Sequence, residues 1–382
     1  MNEGKWRLPH GVDEMLPPAA AALEKNRRAL IDLFTAWGYE YVEPPLVEYL
    51  DSLLVGSGAD LDLQTLKMVD QRSGRMLGVR ADMTSQAVRI DAHSRQKQGI
   101  QRLCYAGPIV FANPRGALDS RNPFKAGAEL FGCATIEADA EVVGLMLASL
   151  KVAGVTEPVL LLGHMGIYHA LVKEAGLGQE AQAELFAAVQ RKAESDIAQI
   201  VPAGRAGDLL VALPTMMSDA AGFGALRGRF EGAPQAVVNA LDDLEQLAAR
   251  VADDVQVRFD LAELAGYGYH NGPVFAAYQA DQGASLAQGG RYDAIGRSFG
   301  RGRPATGFDM RLERLLNGQV REQRAVWAPF AGDNAALRRA VAELREGNDI
   351  VICALSADEA VDDRCDRELA REGKNWVVRN RS

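Results

Sequence analysis

The acidic residue Glu129 stands in the stretch GAELFG, among apolar residues typical of a buried β-strand. A carboxylate that folding removes from water needs a partner, because an unpaired buried charge is very costly. Two further polar residues, Asp82 and Thr84, lie where the strand-like stretch RMLGV turns toward a helix. They either cap that helix or contact a ligand, and the sequence leaves both roles open.

Several other kinds of reaction centre are absent from the sequence. No GxGxxG or GxxxxGK[ST] segment follows a predicted strand and no GxSxG is present, so dinucleotide, P-loop and nucleophile-elbow chemistry are not indicated. The 4 cysteines are widely scattered and never spaced CxxC, and the 5 histidines are equally dispersed. We therefore expect inert buried thiols, no bound metal and no cofactor.

The composition is that of an ordinary globular protein, with 382 residues, 48% of them hydrophobic and 24% charged. This length allows a large core and more than one domain. No apolar run approaches the roughly 18 residues of a membrane span, and the N-terminus lacks the apolar segment of a secretory signal, so a cytoplasmic protein is predicted. The net charge of −9 argues against binding a nucleic-acid backbone, which usually requires a basic stripe.

The order of predicted elements indicates an α+β protein with an antiparallel sheet flanked by helices. An amphipathic helix is predicted over residues 19–37 and a buried strand over Ile109–Phe111. The stretch from about 155 to 255 reads as an inserted, mainly helical subdomain within a first domain of residues 1–320. Residues 321–382 read as a small α/β unit, with AVWAPF, DIVICAL and NWVVRN as strands and AALRRAVAELREG and DEAVDDRCDRELAREG as helices.

An ordered set of segments gives the chain a family resemblance. GYEYVEPPLVEYLDSL is similar to motif 1 of the class II aminoacyl-tRNA synthetases, and ATGFDMRLERL, which contains Glu313 and Arg314, is similar to motif 3. Further segments resemble those that shape the histidine pocket of histidyl-tRNA synthetase: LPHGVDEMLP, VRADMTSQAVR, GAELFG, GYHNGPVF and GGRYDAI. The resemblance covers roughly residues 5–318 and implies a class II synthetase-like fold and a homodimer formed through motif 1.

The resemblance also implies a histidine site made of Asp82, Thr84, Lys125, Glu129, Tyr269 and His270. Asp82 and Thr84 would face the amino group of histidine, and Glu129 would accept a hydrogen bond from the imidazole, which Tyr269 and His270 would line. Lys125 stands where the family has glutamine, and we expect it to supply positive charge. Tyr269 and His270 are equally consistent with ordinary strand residues.

Other matched positions imply that the adenylation chemistry of the synthetases is lost. These enzymes present an arginine and a glutamate from motif 2 to ATP, where fixed charges stabilise the transition state. Here the two positions hold Phe111 and Asn113, and the first arginine of the following loop is replaced by Asp119. Ala265 replaces the arginine that holds the amino-acid carboxylate. Arg314 is retained, although one arginine cannot replace a phosphate clamp.

A synthetase-like chain with a histidine pocket and without adenylation residues resembles the regulatory subunits of ATP phosphoribosyltransferase. This resemblance implies a chain that is not itself an enzyme and that forms a hetero-oligomer with a short-form catalytic subunit. The complex would catalyse the first step of histidine biosynthesis under feedback inhibition by histidine, and no tRNA would bind. Two alternatives remain, a truncated histidyl-tRNA synthetase and a synthetase-like binding module. The sequence leaves open whether histidine binds in the ancestral pocket or at a subunit interface.

Overall fold

The computed structural model describes residues 6–56, 59–113, 119–263, 269–279, 283–316 and 324–381. The chain divides into two compact units, one of Met1–Glu14 with Leu23–Asn317 and one of Met15–Ala22 with Gly318–Ser382. The position of Ala265 lies outside the described residues.

A large sheet forms the centre of the first unit. The strands of this unit are β1 (Glu40–Tyr41), β2 (Val47–Tyr49), β3 (Leu66–Val69), β4 (Met76–Val79), β5 (Gln101–Pro108), β6 (Phe124–Phe131), β7 (Val159–His164), β8 (Met217–Asp219), β9 (Gln256–Asp260), β10 (Pro273–Tyr278), β11 (Ala287–Arg291) and β12 (Ala305–Arg311). Within the described ranges the large sheet has nine strands in the order β1-β5-β6-β12-β11-β10-β7-β9-β8. All neighbours from β5 through β7 pair antiparallel, which confirms the predicted α+β class.

Helices cover this sheet and bury its apolar side chains. They are α1 (Ala19–Ala36), α2 (Leu50–Leu53), α3 (Ala59–Gln64), α4 (Thr84–Arg89), α5 (Ile136–Val152), α6 (Met165–Glu174), α7 (Gln179–Gln190), α8 (Glu194–Ile200), α9 (Arg205–Ala212), α10 (Phe223–Gly228), α11 (Gln235–Val251) and α12 (Ile295–Ser298). Helix α1 ends close to its predicted end, before Gly38, whose φ of +83° is the left-handed conformation that favours glycine after a helix. Across the described residues, no helix is both long and apolar enough to cross a membrane.

The segment between β7 and β9 supplies most of the helices. It contains α6 through α11 and the short strand β8, while β7 and β9 themselves pair in parallel within the large sheet. Helix α11 buries Val237, Leu241 and Leu244 in the core that also contains Leu160 and Leu162 of β7. The burial of one helical face at this spacing anchors the segment to the sheet.

The predicted strand at Ile109–Phe111 is wrong as a regular strand, because β5 ends at Pro108. The N–H groups of Ile109 and Phe111 nevertheless donate to the carbonyls of Pro123 at 3.0 Å and Arg121 at 2.7 Å, so contacts with the segment before β6 continue. The carbonyl of Pro108 accepts a hydrogen bond from Nε of the buried Arg80 at 2.8 Å, and Phe111 forms an isolated bridge with Thr65. Ile109 and Phe111 are buried, as their apolar character indicates.

The C-terminal unit forms a four-stranded sheet, within residues 324–381, with one helix against it. Its elements are β13 (Ala325–Ala328), α13 (Ala335–Glu346), β14 (Val351–Cys353), β15 (Cys365–Glu372) and β16 (Asn375–Asn380). The helix predicted over DEAVDDRCDRELAREG is wrong, because Cys365–Glu372 is a strand in a hairpin with β16. Cys365 and Leu369 are buried, and pairing with β16 outweighs the helix propensity of the charged residues between them.

Helix α13 should depend measurably on its N-cap. The Asn334 side chain accepts hydrogen bonds from the backbone N–H groups of Ala336 at 3.1 Å and Leu337 at 3.0 Å. Replacing Asn334 with alanine removes these acceptors, so we expect the unfolding free energy of this unit to fall by about 1 kcal/mol. Denaturant unfolding of the full chain would measure this, with Glu343→Ala on the surface of the same helix as the control. Equal stability of the two variants would contradict the assigned cap.

Candidate functional site

Glu129 lies in the large sheet, on β6 between β5 and β12, and is buried. The Tyr105 hydroxyl on β5 donates a hydrogen bond to its Oε1 at 2.9 Å, and the Tyr292 hydroxyl, directly after β11, donates to its Oε2. The Thr84 hydroxyl lies 3.4 Å from that of Tyr105. The partners that the sequence required for this acid are therefore two tyrosines, one on the neighbouring strand β5 and one directly after β11.

Glycines on the adjoining strands make room for this acid. Gly307 on β12 lies directly opposite Glu129 in the β6–β12 register, and a Cβ atom there would overlap Glu129 Oε2. On β11, a Cβ at Gly290 would lie 2.8 Å from Cδ2 of His270. Because side chains at these positions would fill the space, the glycines open a small cavity on this face of the sheet.

This cavity, called here the glutamate cavity, measures about 20 Å³ and is lined by Thr84, Glu129, Tyr269, His270, Gln288, Gly289, Tyr292, Gly307, Phe308 and Asp309. Tyr269 and His270 lie beside each other, with their ring centroids 4.7 Å apart. A second cavity of about 200 Å³, called the arginine cavity, shares Gln288 and Asp309 with the first. The two cavities thus lie side by side along the sheet.

Lys125 lines the arginine cavity and forms ion pairs with Asp82 and with Asp309, which lines both cavities. Its Nζ lies 3.2 Å from Asp82 Oδ1 and 2.7 Å from Asp309 Oδ2, and both Lys125 and Asp82 are buried. Asp82 Oδ2 also accepts the backbone N–H of Thr84 at 3.2 Å, at the start of α4. One oxygen of Asp82 therefore supports the start of the helix and the other holds Lys125, while the contact of Asp82 with a ligand stays a prediction.

Of the positions matched to the lost adenylation residues, Asp119 lines the arginine cavity and Phe111 contacts one of its arginines. Phe111 is buried beneath the Arg311 guanidinium, whose carbon is 5.3 Å from the ring centroid, and Asn113 is exposed. Asp119 Oδ1 lies 3.3 Å from Arg311 Nη1 and 3.1 Å from Arg314 Nη2. The retained Arg314 is thus paired with the carboxylate that replaces a loop arginine.

Four side chains of this site were not predicted: Tyr105, Tyr292, Asp309 and Arg311. Asp309 and Arg311 lie in the motif 3 stretch. Because alternate residues of a strand share a face, the sequence could have placed both side chains on the same face of β12 as Gly307. Tyr292 stands in GGRYDAI, and its link to Glu129 depends on strand order rather than on sequence spacing.

Burial controls the protonation of the central acid. Loss of water raises the pKa of Glu129 from 4.5 to about 8, although the hydrogen bonds from Tyr292 and Tyr105 oppose the rise. The same burial raises the pKa of Tyr105 and of Tyr292 well above 10.0. At pH 7 the site therefore holds a neutral carboxylic acid between two neutral phenols.

This protonation predicts a pH dependence of stability. Because the pKa of Glu129 is higher in the folded chain, the folded state binds more protons between pH 4.5 and about 8, and its stability falls as the pH rises through that window. The stabilisation of the folded state that comes from the raised pKa of Glu129 is complete below pH 4.5 and is lost above about pH 8. The unfolding free energy of wild type relative to Glu129→Gln should therefore fall by up to about 1.4 kcal/mol per pH unit. Denaturant unfolding at a series of pH values measures this difference, and a constant difference would contradict the raised pKa.

The large sheet has the fold of the histidyl-tRNA synthetases. The family model described as "Histidyl-tRNA synthetase" matches residues 11–315. A histidyl-tRNA synthetase from Nostoc sp. superposes with a TM-score of 0.75 over 93% of this chain and 87% of its own, at 14% identity, which shows the shared fold. The structure titled "ATP phosphoribosyltransferase regulatory subunit/histidyl-tRNA synthetase", from Bacillus halodurans, has a TM-score of 0.83 and 26% identity, with 94% of this chain and 95% of its own covered.

The full-length relatives identify the family within this class. An ATP phosphoribosyltransferase regulatory subunit from Chromohalobacter salexigens is 47% identical over 98% of both chains, and one from Pseudomonas syringae pv. syringae is 46% identical over 98% of both. Residues 323–379 match the model "ATP phosphoribosyltransferase subunit HisZ C-terminal domain". The chain belongs to the family of ATP phosphoribosyltransferase regulatory subunits.

Proposed function

We propose that this chain is the non-catalytic regulatory subunit of an ATP phosphoribosyltransferase. It joins the short-form catalytic subunit in the first step of histidine biosynthesis and transmits feedback inhibition by histidine. The observation that carries the proposal is the 47% identity, over 98% of both chains, to a relative named as such a subunit. The ion pairs of Asp119 with Arg311 and Arg314 support it, because they occupy the side where a synthetase would need free cations for ATP.

Histidine is proposed to bind across the two adjoining cavities. Its imidazole would face Glu129, Tyr269 and His270, which line the glutamate cavity. Its ammonium and carboxylate would lie beside the Asp82–Lys125 pair, where one anion and one cation stand 3.2 Å apart. A zwitterion carries both charges, so its ammonium can pair with Asp82 and its carboxylate with Lys125. These contacts support the ancestral pocket over a subunit interface.

A homodimer is proposed to form through the motif 1 region. Strand β2 of the small sheet β2-β4-β3 belongs to that region, and Val47, Tyr49 and the neighbouring Met68 lie on one face of the sheet with exposures of 38%, 38% and 40%. Apolar side chains grouped in this way favour burial against another protein surface. We further propose a domain division near residue 320 with an inserted subdomain over about 155–255, and a cytoplasmic location.

The test is phosphoribosyl-ATP formation by the short-form catalytic subunit from the same source, titrated with this chain. We expect this chain to raise the rate and histidine to suppress it. No change in rate or inhibition would overturn the proposal. Histidine-dependent ATP–pyrophosphate exchange by this chain alone separates the remaining alternatives, since exchange would indicate a synthetase and its absence a binding module of another system.

A further inference from the structure

A carboxylate of the chain itself, that of Asp119, faces the arginines of the arginine cavity. Three cationic side chains and two carboxylates line it, namely Lys125, Arg311, Arg314, Asp119 and Asp309. Lys125 is held by Asp82 and Asp309, which leaves Asp119 as the carboxylate that faces both arginines. Arg311 is 11% exposed, and Arg314 and Asp119 are each 25% exposed, so these charges are only partly screened by water.

The two guanidinium groups are positioned by contacts other than Asp119. Arg314 Nη1 donates to the carbonyl of Ser285 at 2.9 Å, and Arg311 lies over the ring of Phe111. A pair of guanidinium groups held in this way matches the oxygens of a carboxylate or a phosphate. Because Asp119 is part of the same chain, it competes with any free anion at a high effective concentration.

We propose that Asp119 is the specificity determinant of this cavity, acting as an internal anion that occupies Arg311 and Arg314 and so excludes phosphate-bearing ligands. Pyrophosphate and larger polyphosphates meet the two arginines already paired and the Asp119 carboxylate itself, which repels them. In the complex, phosphorylated substrates and the pyrophosphate product are then confined to the catalytic subunit. This inference depends on the ion pairs and is independent of histidine binding.

The experiment measures binding of inorganic pyrophosphate to the full chain by isothermal titration calorimetry, without partner or histidine. Asp119→Ala and the isosteric Asp119→Asn should each bind pyrophosphate at least tenfold more tightly than wild type. Asp119→Glu retains the negative charge and should not. The matched control is Asp196→Ala, which removes an exposed carboxylate that pairs with Arg191 at 3.3 Å, and it should behave as wild type.

A second substitution tests whether the gain in pyrophosphate affinity depends on the arginines. Adding Arg314→Met to Asp119→Asn should return the affinity for pyrophosphate to the wild-type value. The proposal is overturned if Asp119→Asn binds no more tightly than wild type, if Asp196→Ala gains as much, or if the double variant keeps the gain. Should Asp119→Ala fail to fold, Asp119→Asn and Asp119→Glu still decide the question. Failure of the regulatory proposal would appear in the phosphoribosyl-ATP assay and would leave these results unchanged.

Discussion

Replacing Gly307 with alanine is expected to weaken histidine binding by at least ~100-fold, which corresponds to about 2.7 kcal/mol. The new Cβ would overlap Glu129 Oε2 and lie 2.8 Å from the carbonyl oxygen of Ala128. The acid cannot move away freely, because hydroxyl groups from Tyr105 and Tyr292 hold both of its oxygens. Overpacking of this kind also costs about 1–3 kcal/mol of stability. Calorimetric titration of the chain with histidine, together with thermal unfolding, measures both effects.

The control for Gly307→Ala is Gly224→Ala, in helix α10, where a Cβ meets no atom within 4 Å. That variant should bind histidine as wild type does. Combining Gly307→Ala with Glu129→Ala removes one side of the clash, so the double variant should recover part of the lost stability without recovering histidine binding. Histidine affinity within threefold of wild type for Gly307→Ala would contradict the placement of histidine beside Glu129.

The sequence predicted that Glu129 needs a hydrogen-bonding partner, but it did not predict which residues are its partners. An acid in an apolar strand must be paired, and this follows from the stretch GAELFG alone. Tyr105 and Tyr292 are 24 and 163 residues away along the chain. They meet Glu129 because β5 and β12 flank β6 and β11 follows β12. That strand order is a tertiary property, which hydrophobic periodicity does not report.

The charge pairs around the arginine cavity also depend on strand order, so the sequence did not predict them. Lys125 and Asp119 were singled out as unusual at their positions, but their counterions Asp309, Arg311 and Arg314 come from the far end of the unit. The antiparallel register places Arg311 opposite Lys125 and Asp309 opposite Gly127, so charges of both signs face one cavity. A substitution that seems only to remove a function can therefore belong to a pair that builds a new electrostatic arrangement.

Two element predictions failed, one of them because tertiary pairing overrode local preference. The charged stretch around Cys365–Glu372 favours a helix by composition, yet it pairs with β16 through a turn at Gly373, whose φ is +60°. That partner strand is one that hydrophobic periodicity does not report. At Ile109–Phe111 the regular strand ends at Pro108, although backbone hydrogen bonds to Pro123 and Arg121 continue beyond it.

Glu129→Gln is expected to lower histidine affinity about 10- to 100-fold, the range of a lost hydrogen bond to a charged group. Burial raises the pKa of Glu129 to about 8, but an imidazolium beside it would favour the ionised carboxylate, so the two can form a carboxylate–imidazolium pair that glutamine cannot form. The distinguishing measurement compares histidine with 1,2,4-triazole-3-alanine, whose ring has a similar shape and is far less basic. Wild type should prefer histidine, and Glu129→Gln should lose most of that preference.

Tyr105→Phe provides the graded control for this prediction. It removes the hydroxyl that donates to Glu129 Oε1 at 2.9 Å and keeps the carboxyl group, so histidine affinity should fall only about three- to tenfold while the preference over the triazole analogue remains. In the complex with the catalytic subunit, Glu129→Gln should still raise the rate of phosphoribosyl-ATP formation but require correspondingly more histidine to suppress it. If Glu129→Gln keeps the full preference for histidine, Glu129 does not form an ion pair with the imidazolium. If the variant is inhibited at the wild-type histidine concentration, the sensor lies elsewhere on the chain or at an interface with the partner.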